Sequence, residues 1–515
     1  MPWEIAIDKR GTKLLLDSIS RNKTPAEYLS VSKNARIKDQ TITKRKWQKT
    51  VVESNIGTEN KGITYNKELF VLADDKFQQV DLTAGTLTNK GSLITPQVVN
   101  FVNYWKYTLI FTGLGKPRHY DWTTLAQTTT TSPDVDPIIA DRFTGFTFMA
   151  GNTADKENVL YISRPILEAT QNYCYDRTGT DSEQITFDSK ILWLISTLNQ
   201  LFIFTENRIE YVSKESLQTV WWVATLISTP VGDWWQLASY RSVISAGDKV
   251  FYLTKNNTIN TLNYASGTVD PAIGILTDEP VFKITKYLEN LDSDQSGSFW
   301  YFNESDKTVQ WFLKTQWALY NDTVLIYDIE NTTWTTDTRK YYNDIITVNN
   351  LTYAGSSLSN NIIQDNIGLD DDNDAIEFEI HDTDISLWTI REKLFQGWMT
   401  SWGLNKSTNI EITTYIDNES QSLVTIDGDD YFWLALSPWS IGWAATWWTA
   451  IGWSISDYEE DFKQFDITLD HWNIYTRGKR IKRVITENSL WSDFYLDLYS
   501  ILADVTSNIE LNDIF

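Results

Sequence analysis

Three histidines, His119, His381 and His471, are the side chains best suited to acid–base or metal chemistry near neutral pH. They are far apart in the sequence and lack the spacing of a metal-binding helix. The stretch Gly113-Leu114-Gly115-Lys116-Pro117 has glycines and a lysine, as phosphate-binding loops do, but not the G-x-x-x-x-G-K-[ST] spacing. Pro117 also stands where a hydroxyl would hold magnesium. We therefore predict ordinary polar histidines and a turn between two strands.

Acidic residues and the one cysteine offer little further chemistry. The run Asp370-Asp371-Asp372-Asn373-Asp374 has hard oxygen ligands for calcium, but it lacks the glycine and the twelfth-position glutamate of an EF-hand loop. A solvated linker and a calcium site both stay open for this run. Glycoside hydrolysis needs two carboxylates at a defined separation, and no pair stands out among 68 acidic residues. Cys174 excludes an internal disulfide and a thiolate cage, and we expect it to be a small buried residue. We predict no catalytic residue, no cofactor site and no metal site, hence a protein that is not an enzyme.

The charge balance is strongly acidic, with 68 Asp and Glu against 44 Lys and Arg and a net charge of −24. A nucleic-acid-binding protein needs cationic surface that displaces counterions from phosphate, so specific nucleic-acid binding is not expected. The acidity suits a conduit through which DNA passes without sticking, and it equally suits mere solubility. A basic patch, Lys44-Arg45-Lys46 with Lys49, departs from this average. It is interpreted either as a contact with an acidic neighbouring subunit or as a solvated strand end.

The elements that would position these residues are β-strands almost everywhere. Short apolar or alternating runs are separated by Gly, Asn, Asp and Thr turns, and capped helical patterns are nearly absent. Many short strands with polar turns favour a propeller or a sandwich. The apolar runs are too short to span a bilayer, and no secretory signal is expected at the start.

A loose repeat runs through the first three quarters of the chain. Similar apolar strands, Glu68–Leu72, Tyr107–Phe111, Gln200–Phe204 and Lys249–Leu253, recur mostly at ~40–50 residues or multiples of it, the length of a propeller blade. The pattern predicts an all-β chain: a β-propeller of six or seven blades at 51–372 and a β-sandwich at 376–515, preceded by an N-terminal arm with the first strands at 1–50. Ten residues are predicted to pack the blades: Leu69, Phe70, Leu109, Phe111, Leu201, Phe202, Phe204, Phe251, Ile326 and Trp334.

Several segments, in order along the chain, resemble the β-propeller proteins of phage tails, the group of nozzle (tail tubular B) and tail-stabilisation proteins. The residues that carry the resemblance are Asn34-Ala35-Arg36-Ile37 with Ile42–Arg45, Asp141-Arg142-Phe143 with Val159–Ser163, Phe204–Ile209, Ala238–Val243 and Thr476–Ile481. The resemblance implies a virion structural protein in the tail or head–tail junction that forms a ring around the DNA channel. It also implies copies of itself and tail, portal or adaptor proteins as partners. Such a protein would be made in the bacterial host cytoplasm, would have no membrane span and would act in DNA ejection.

Two other functions stay open beside this one. The first is a receptor- or carbohydrate-binding tail protein, in which exposed aromatic side chains stack on host-surface glycans. The second is a propeller glycoside hydrolase, which would need a convergent carboxylate pair with a raised pKa in a central pocket.

Tryptophan is unusually abundant, with 24 Trp against 23 Gly. Glycine thus makes up about 4.5% of the chain, against a usual ~7%. Where the resembling group has glycine, this chain has Trp47 after Arg45-Lys46 and Trp122 after Tyr120-Asp121. We hypothesise that many of these tryptophans stand where UGA codons are read as glycine. Aromatic sugar platforms and a membrane-touching loop are the rival interpretations.

This hypothesis predicts where the tryptophans lie. Six should be exposed, scattered in loops and partly at positive φ, namely Trp433, Trp439, Trp443, Trp447, Trp448 and Trp453. Trp47, Trp122, Trp234 and Trp235 should lie at turns. Trp105 and Trp334 should be genuine tryptophans, and Trp334 should be buried in a strand.

Overall fold

The computed structural model of the chain describes residues 4–8, 29–38, 41–46, 48–53, 60–94, 99–103, 107–127, 136–151, 156–163, 183–214, 229–233, 237–239, 241–263, 272–275, 284–367, 371, 374–382, 393–405, 407–427, 462–470, 476–478, 481–489 and 494–504. Nearly all of these residues lie in or between β-strands, so the prediction of an all-β chain is confirmed. The helix with described bounds is α1 (Thr285–Glu289), and in the described part of the chain no helix is long and apolar enough to cross a membrane.

Four-stranded antiparallel sheets follow one another along the chain. Sheet 1 contains β6 (Asn60–Asn66), β7 (Glu68–Ala73), β8 (Lys76–Asp81) and β9 (Thr86–Ser92). Sheet 2 contains β10 (Asn100–Asn103), β11 (Thr108–Phe111), β12 (Arg118–Tyr120) and β13 (Leu125–Gln127). Sheet 3 contains β14 (Ile139–Phe143), β15 (Phe146–Ala150), β16 (Val159–Ile162) and β17 (Glu183–Thr186). Sheet 4 contains β18 (Ile191–Ser196), β19 (Gln200–Thr205), β20 (Arg208–Ser213) and β21 (Thr229–Asp233).

Three further sheets complete the series. Sheet 5 contains β22 (Val243–Ala246), β23 (Lys249–Leu253), β24 (Ile259–Asn263) and β25 (Ala272–Ile275). Sheet 6 contains β26 (Phe299–Asn303), β27 (Thr308–Leu313), β28 (Thr323–Asp328) and β29 (Thr333–Thr338). Sheet 7 contains β30 (Tyr342–Val348), β31 (Leu351–Ser356) and β32 (Ile362–Asp365), and its outer strand comes from near the N-terminus, β5 (Gln48–Val52).

Each of the seven sheets packs against two neighbours. The first strand of every sheet contacts the first strand of the next, and β30 of sheet 7 contacts β6 of sheet 1, so the contacts form a closed cycle. At the closing point, Gly355 lies so near Asn60 that an added Cβ would come within 2.8 Å of the Asn60 Cβ. A glycine there permits the two sheets to approach.

One cluster of buried apolar side chains fills each space between neighbouring sheets. Strand β7 shows how: Phe70 and Leu72 pack toward sheet 2, while Leu69 and Val71 pack toward sheet 7. Because both faces of the sheets are covered, the strands read as continuous apolar runs rather than as alternating ones. All ten predicted packing residues are buried, which confirms that prediction.

Asp and Asn side chains close many of the hairpins. The Oδ1 atom of Asp81 accepts the backbone N–H groups of Thr83 and Ala84, each at 2.9 Å. Asp121 and Asn303 accept N–H groups two and three residues further on in the same way. Such side chains mimic a backbone turn, which is why polar Asp, Asn and Thr clusters separate the apolar runs.

The remaining strands pair N-terminal with C-terminal segments. They form an extension of sheet 6, which makes it nine-stranded, and a separate seven-stranded sheet. Five of them extend sheet 6 beyond β29: β2 (Leu29–Lys33), β33 (Phe378–Asp382), β39 (Ile481–Glu487), β35 (Asn409–Ile416) and β36 (Glu419–Asp427). The other sheet contains β1 (Glu4–Asp8), β3 (Ala35–Lys38), β4 (Thr41–Lys44), β34 (Lys393–Asn405), β37 (Phe462–Asp470), β38 (Thr476–Gly478) and β40 (Phe494–Asp504). The strands of the N-terminal arm therefore belong structurally to the C-terminal sheets and to sheet 7.

Candidate functional site

The densest group of charged side chains lies where the N-terminal strands, sheets 6 and 7 and the C-terminal strands meet. This group, called the junction below, comprises Arg36, Lys44, Arg45, Asp337, Lys340, Asp365, Asp371 and Glu487. Four cations face four carboxylates, so the junction is neutral in sum.

Asn34 sets the backbone geometry at the entrance of the junction. It lies between β2 and β3 with φ of 55°, a left-handed conformation that asparagine tolerates better than most residues. Its Nδ2 donates to the carbonyl of Glu377 at 2.6 Å, and its Oδ1 accepts from the backbone N–H of Thr338 and from Nε of Arg45. One side chain thus connects the arm, sheet 6 and the chain leading into β33.

Arg45 and Asp371 form a two-pronged buried ion pair. Nη2 of Arg45 lies 2.5 Å from Oδ2 of Asp371, and Nη1 lies 3.2 Å from Oδ1. Arg45 is 1% exposed and Asp371 is 6% exposed. Burial lowers the pKa of Arg45, but the carboxylates of Asp337 and Asp371 outweigh burial and raise that pKa above its usual value. The guanidinium fork and the carboxylate match in shape, which makes this one of the stronger pair geometries.

Asp337 of β29 lies between two cations. Arg36 holds both of its oxygens, at 2.8 and 2.5 Å, and Nζ of Lys340 lies 3.3 Å away. Burial alone would raise the pKa of Asp337, but Arg36 and Lys340 hold it well below its usual range. Lys340 also bridges to Asp365 at 2.9 Å. The ion pairs therefore link the arm, the end of sheet 6 and the third strand of sheet 7.

Lys44 extends the junction into the C-terminal strands. Its Nζ lies 2.5 Å from Oε2 of Glu487 at the end of β39, and both side chains are almost fully buried. The predicted basic patch is therefore not a surface patch as a whole: Lys44 and Arg45 are buried in ion pairs within the chain, whereas Lys46 and Lys49 are exposed.

The acidic run at 370–374 is also partly paired within the chain. The carboxylate of Asp371 accepts hydrogen bonds from Arg45 and from the backbone N–H of Gln48. Asp374 is exposed, and the rest of that run lies outside the described residues.

Polar ties also connect the first strands of neighbouring sheets. Asp344 of β30 accepts the N–H of Ile63 in β6 at 2.9 Å and pairs with Arg241, whose Nη1 donates to the carbonyl of Asn343. Between sheets 2 and 3, Asn100 donates to the carbonyl of Ala140 at 2.8 Å. Apolar packing is non-directional, so these directional hydrogen bonds and ion pairs fix the position of one sheet relative to the next.

Asp141 of β14 makes the tie between sheets 3 and 4. Its carboxylate accepts the backbone N–H groups of Ser196, at 2.5 Å, and of Arg142, at 2.7 Å. Burial raises the pKa of Asp141 to about 6, and these hydrogen bonds only partly oppose the shift. A raised pKa on this carboxyl group therefore has a structural cause, and its backbone partners are the next residue of its own strand and Ser196 of β18 in the neighbouring sheet.

We expect Asp141→Asn to remove a pH dependence from the stability. A carboxyl group whose folded pKa exceeds its unfolded value binds more protons when folded, so its contribution is lost as the pH rises from about 4 to about 6. The lost contribution is roughly 1–3 kcal/mol for this half-buried residue. Urea unfolding at pH 4 and pH 7 should show a smaller fall in the free energy of unfolding for Asp141→Asn than for the wild type. The exposed Asp248→Asn is the control, and equal pH dependence in all three proteins would contradict the assignment.

A shallow cleft of about 310 Å³ lies between sheets 1 and 7. Tyr65, Tyr353 and Val348 form its apolar part, and Gln79 and Asn349 contribute amides. Tyr353 is only 5% exposed and packs in the cluster between sheets 7 and 1, whereas Tyr65 is half-buried, so Tyr65 is the ring of the two that a ligand in this cleft could reach.

The residues singled out for chemistry are not brought together. His119 is buried in sheet 2, where burial lowers its pKa, whereas His381 lies in β33 with its Nε2 2.5 Å from Oε1 of Glu379. His471 and Cys174 lie outside the described residues. The stretch from Gly113 to Pro117 is a turn between β11 and β12, as predicted. In the described part of the chain, no group of three or more His, Cys, Asp or Glu is placed to hold a metal ion.

The tryptophan predictions are tested at two positions. Trp334 is buried in β29, and Trp122 lies in the turn after β12 at positive φ, both as predicted. The others fall outside the described residues, namely Trp47, Trp105, Trp234, Trp235, Trp433, Trp439, Trp443, Trp447, Trp448 and Trp453.

Comparison with known proteins gives no family. No family model and no curated protein matches the chain. Among solved structures, the computationally designed Ika8 protein is similar over 61% of this chain and 99% of its own, with 10% identity and a TM-score of 0.38. PorZ, a bacterial surface component of the type-IX secretion system of Porphyromonas gingivalis, is similar over 68% of this chain, with 12% identity and a TM-score of 0.36. The chain spans 44% of the length of PorZ, and neither protein is a phage tail protein.

Proposed function

We propose that the seven sheets are the blades of a seven-bladed β-propeller, and that the five strands extending sheet 6 form a β-sandwich with the seven-stranded sheet. The closed cycle of first-strand contacts and the seven apolar clusters support the propeller. The outer strand of sheet 7 coming from the N-terminal side, β5, supports closure of the circle by non-local pairing. Paired N- and C-terminal strands support a single sandwich built from both ends of the chain.

We propose that the protein is a structural component of a tailed-phage virion, in the tail or head–tail junction, where copies assemble as a ring around the DNA channel. The single observation that carries this role is the junction, in which four cations pair with four carboxylates. Its buried ion pairs hold propeller and sandwich together. A ring closes only if each subunit keeps a fixed angle between the surfaces that meet its two neighbours. Arg36, Lys44 and Arg45, which lie in the segments that carry the resemblance, supply three of the four cations of the junction, and Asn34 accepts a hydrogen bond from Arg45.

The proposed DNA channel lies between copies rather than through the middle of one propeller. The first strands of the seven sheets carry two basic residues, Lys61 and Arg142, and two acidic residues, Asp141 and Asp344. Their charges cancel, so the net charge of −24 lies elsewhere on the molecule. An acidic outer surface facing a common axis would repel DNA and let it slide.

Full-length purified protein should form closed rings visible by negative-stain microscopy, with one dominant mass by native mass spectrometry. Antibody to the chain should label the tail end of intact virions and not the head surface. A protein that stays monomeric at high concentration, together with unlabelled virions, would overturn the proposal.

The cleft beside Tyr65 and Tyr353 favours a second function, a receptor- or carbohydrate-binding tail protein. The half-buried ring of Tyr65 and the amides of Gln79 and Asn349 line this cleft and are the groups that support sugar binding there. Virions labelled at fibre tips, with retention of the monomeric protein on immobilised host glycans, would favour this function over the ring.

A further inference from the structure

Two tryptophans lie at backbone conformations that bulky residues rarely adopt. The φ angle is 75° at Trp122 and 73° at Trp317. The left-handed region costs energy for any residue with a Cβ, and a large side chain there is a genuine outlier. Glycine has no Cβ and adopts such angles freely.

Trp317 occupies the glycine position of a defined turn. The N–H of Ala318 donates to the carbonyl of Thr315 at 3.1 Å, so residues 315–318 form a β-turn with Trp317 third. Positive φ at the third residue, with Gln316 before it at negative φ, is the pattern of a type II turn, which takes glycine there. The Trp317 side chain is 94% exposed, so burial does not offset the backbone cost.

Trp122 occupies a similar position in the hairpin between β12 and β13. The Asp121 carboxylate accepts the N–H groups of Thr123 and Thr124, which forces a tight turn through residue 122. The indole Nε1 of Trp122 is buried and meets no hydrogen-bond acceptor among the described residues, but the same holds for Trp300, Trp311 and Trp334. The backbone angle is therefore what sets Trp122 apart. The Trp122 ring lies 6.2 Å from the Phe70 ring, so some packing offsets the backbone cost.

Other tryptophans in the described chain behave as retained tryptophans do. Trp300, Trp311 and Trp334 lie in strands of sheet 6 and are at most 8% exposed. None of the three has positive φ. Their rings contact one another in the cluster between sheets 5 and 6. Two populations of tryptophan are therefore present, one at core positions and one at turn positions.

We propose that positions 122 and 317 are encoded by UGA and read as glycine in the organism that makes this protein, whereas positions 300, 311 and 334 are genuine tryptophan codons. The excess of tryptophan over glycine in the whole chain, 24 against 23, has the same origin. Glycine at 317 removes the most exposed large apolar side chain of the described residues, and with it a candidate aromatic platform for sugars.

One tryptic peptide tests the proposal with its own internal control. Residues 315–339, between Lys314 and the cleavage after Arg339, contain both Trp317 and Trp334. Fragment spectra of this peptide from protein isolated from its natural source should place glycine at 317 and tryptophan at 334. Tryptophan at both positions would overturn the proposal.

Recombinant variants of the full chain give an independent readout. Trp317→Gly should raise the thermal midpoint by roughly 1–3 °C, because it removes left-handed strain at an exposed site. Trp334→Gly should lower the midpoint by roughly 5–10 °C, because it empties a core position. A fall for Trp317→Gly as large as that for Trp334→Gly would show that Trp317 is a structural tryptophan.

Discussion

Arg45→Ala should lower the free energy of unfolding by about 3–5 kcal/mol, because it leaves the Asp371 carboxylate buried without its cation. The pair is almost fully buried and two-pronged, so solvent screens it little. The variant also removes the Nε donor from Asn34. Urea unfolding of purified protein at neutral pH measures the loss.

Two companion variants make the test specific. Lys46→Ala changes the adjacent cation, which is exposed, and should shift the free energy of unfolding by less than about 0.5 kcal/mol. The double variant Arg45→Ala with Asp371→Ala should lose less than the sum of the two single losses, since neither charge is then left buried alone. Strict additivity would show that the two side chains do not act as a pair.

The all-β class and the buried residues of the sheets could be predicted from short-range pattern alone. Runs such as Leu201–Phe204 are apolar at every position because each sheet is covered on both faces, so all four residues are buried. All ten predicted packing residues are buried for the same reason. Apolar and polar residues alternate along a strand when one face of the sheet is exposed to solvent. The central strands of these sheets have no solvent-exposed face.

Partners far apart in sequence could not be predicted. Arg45 and Asp371 are separated by 326 positions, and Lys44 and Glu487 by 443. A basic run has the same composition whether it is exposed or buried, so the sequence alone favoured a contact with an acidic neighbouring subunit or a solvated strand end. The useful signal was the motif containing Asn34, Arg36 and Arg45, because an asparagine at a left-handed turn beside two arginines is what the junction uses.

The strand that completes sheet 7 poses the same difficulty. The sequence pattern placed the N-terminal arm at 1–50 and the next region from 51 onward, whereas β5 runs from Gln48 to Val52 across that boundary. Its partner β32 lies more than 300 residues later, and its register is set by pairs such as Val52 with Ile362. Strand β5 is anchored by one buried apolar residue, Val52, which is 1% exposed and packs in the cluster between sheets 7 and 1.

Val52→Asp should therefore lower the free energy of unfolding by about 4 kcal/mol or more, because it places a carboxylate in a cluster of buried apolar side chains. The cluster holds sheets 7 and 1 together, so the variant should open the cycle of sheets at its closing point. Lys49→Asp is the matched control: it lies in the same strand, is exposed, and should change the free energy by less than about 1 kcal/mol. Urea unfolding measures both losses, and limited proteolysis of the Val52→Asp protein should cut first near β5. Equal losses for the two variants would show that β5 is an accessory edge strand. A large loss for Val52→Asp alone, with first cleavage near β5, would show that the packing of this non-local strand stabilises the contact between sheets 7 and 1.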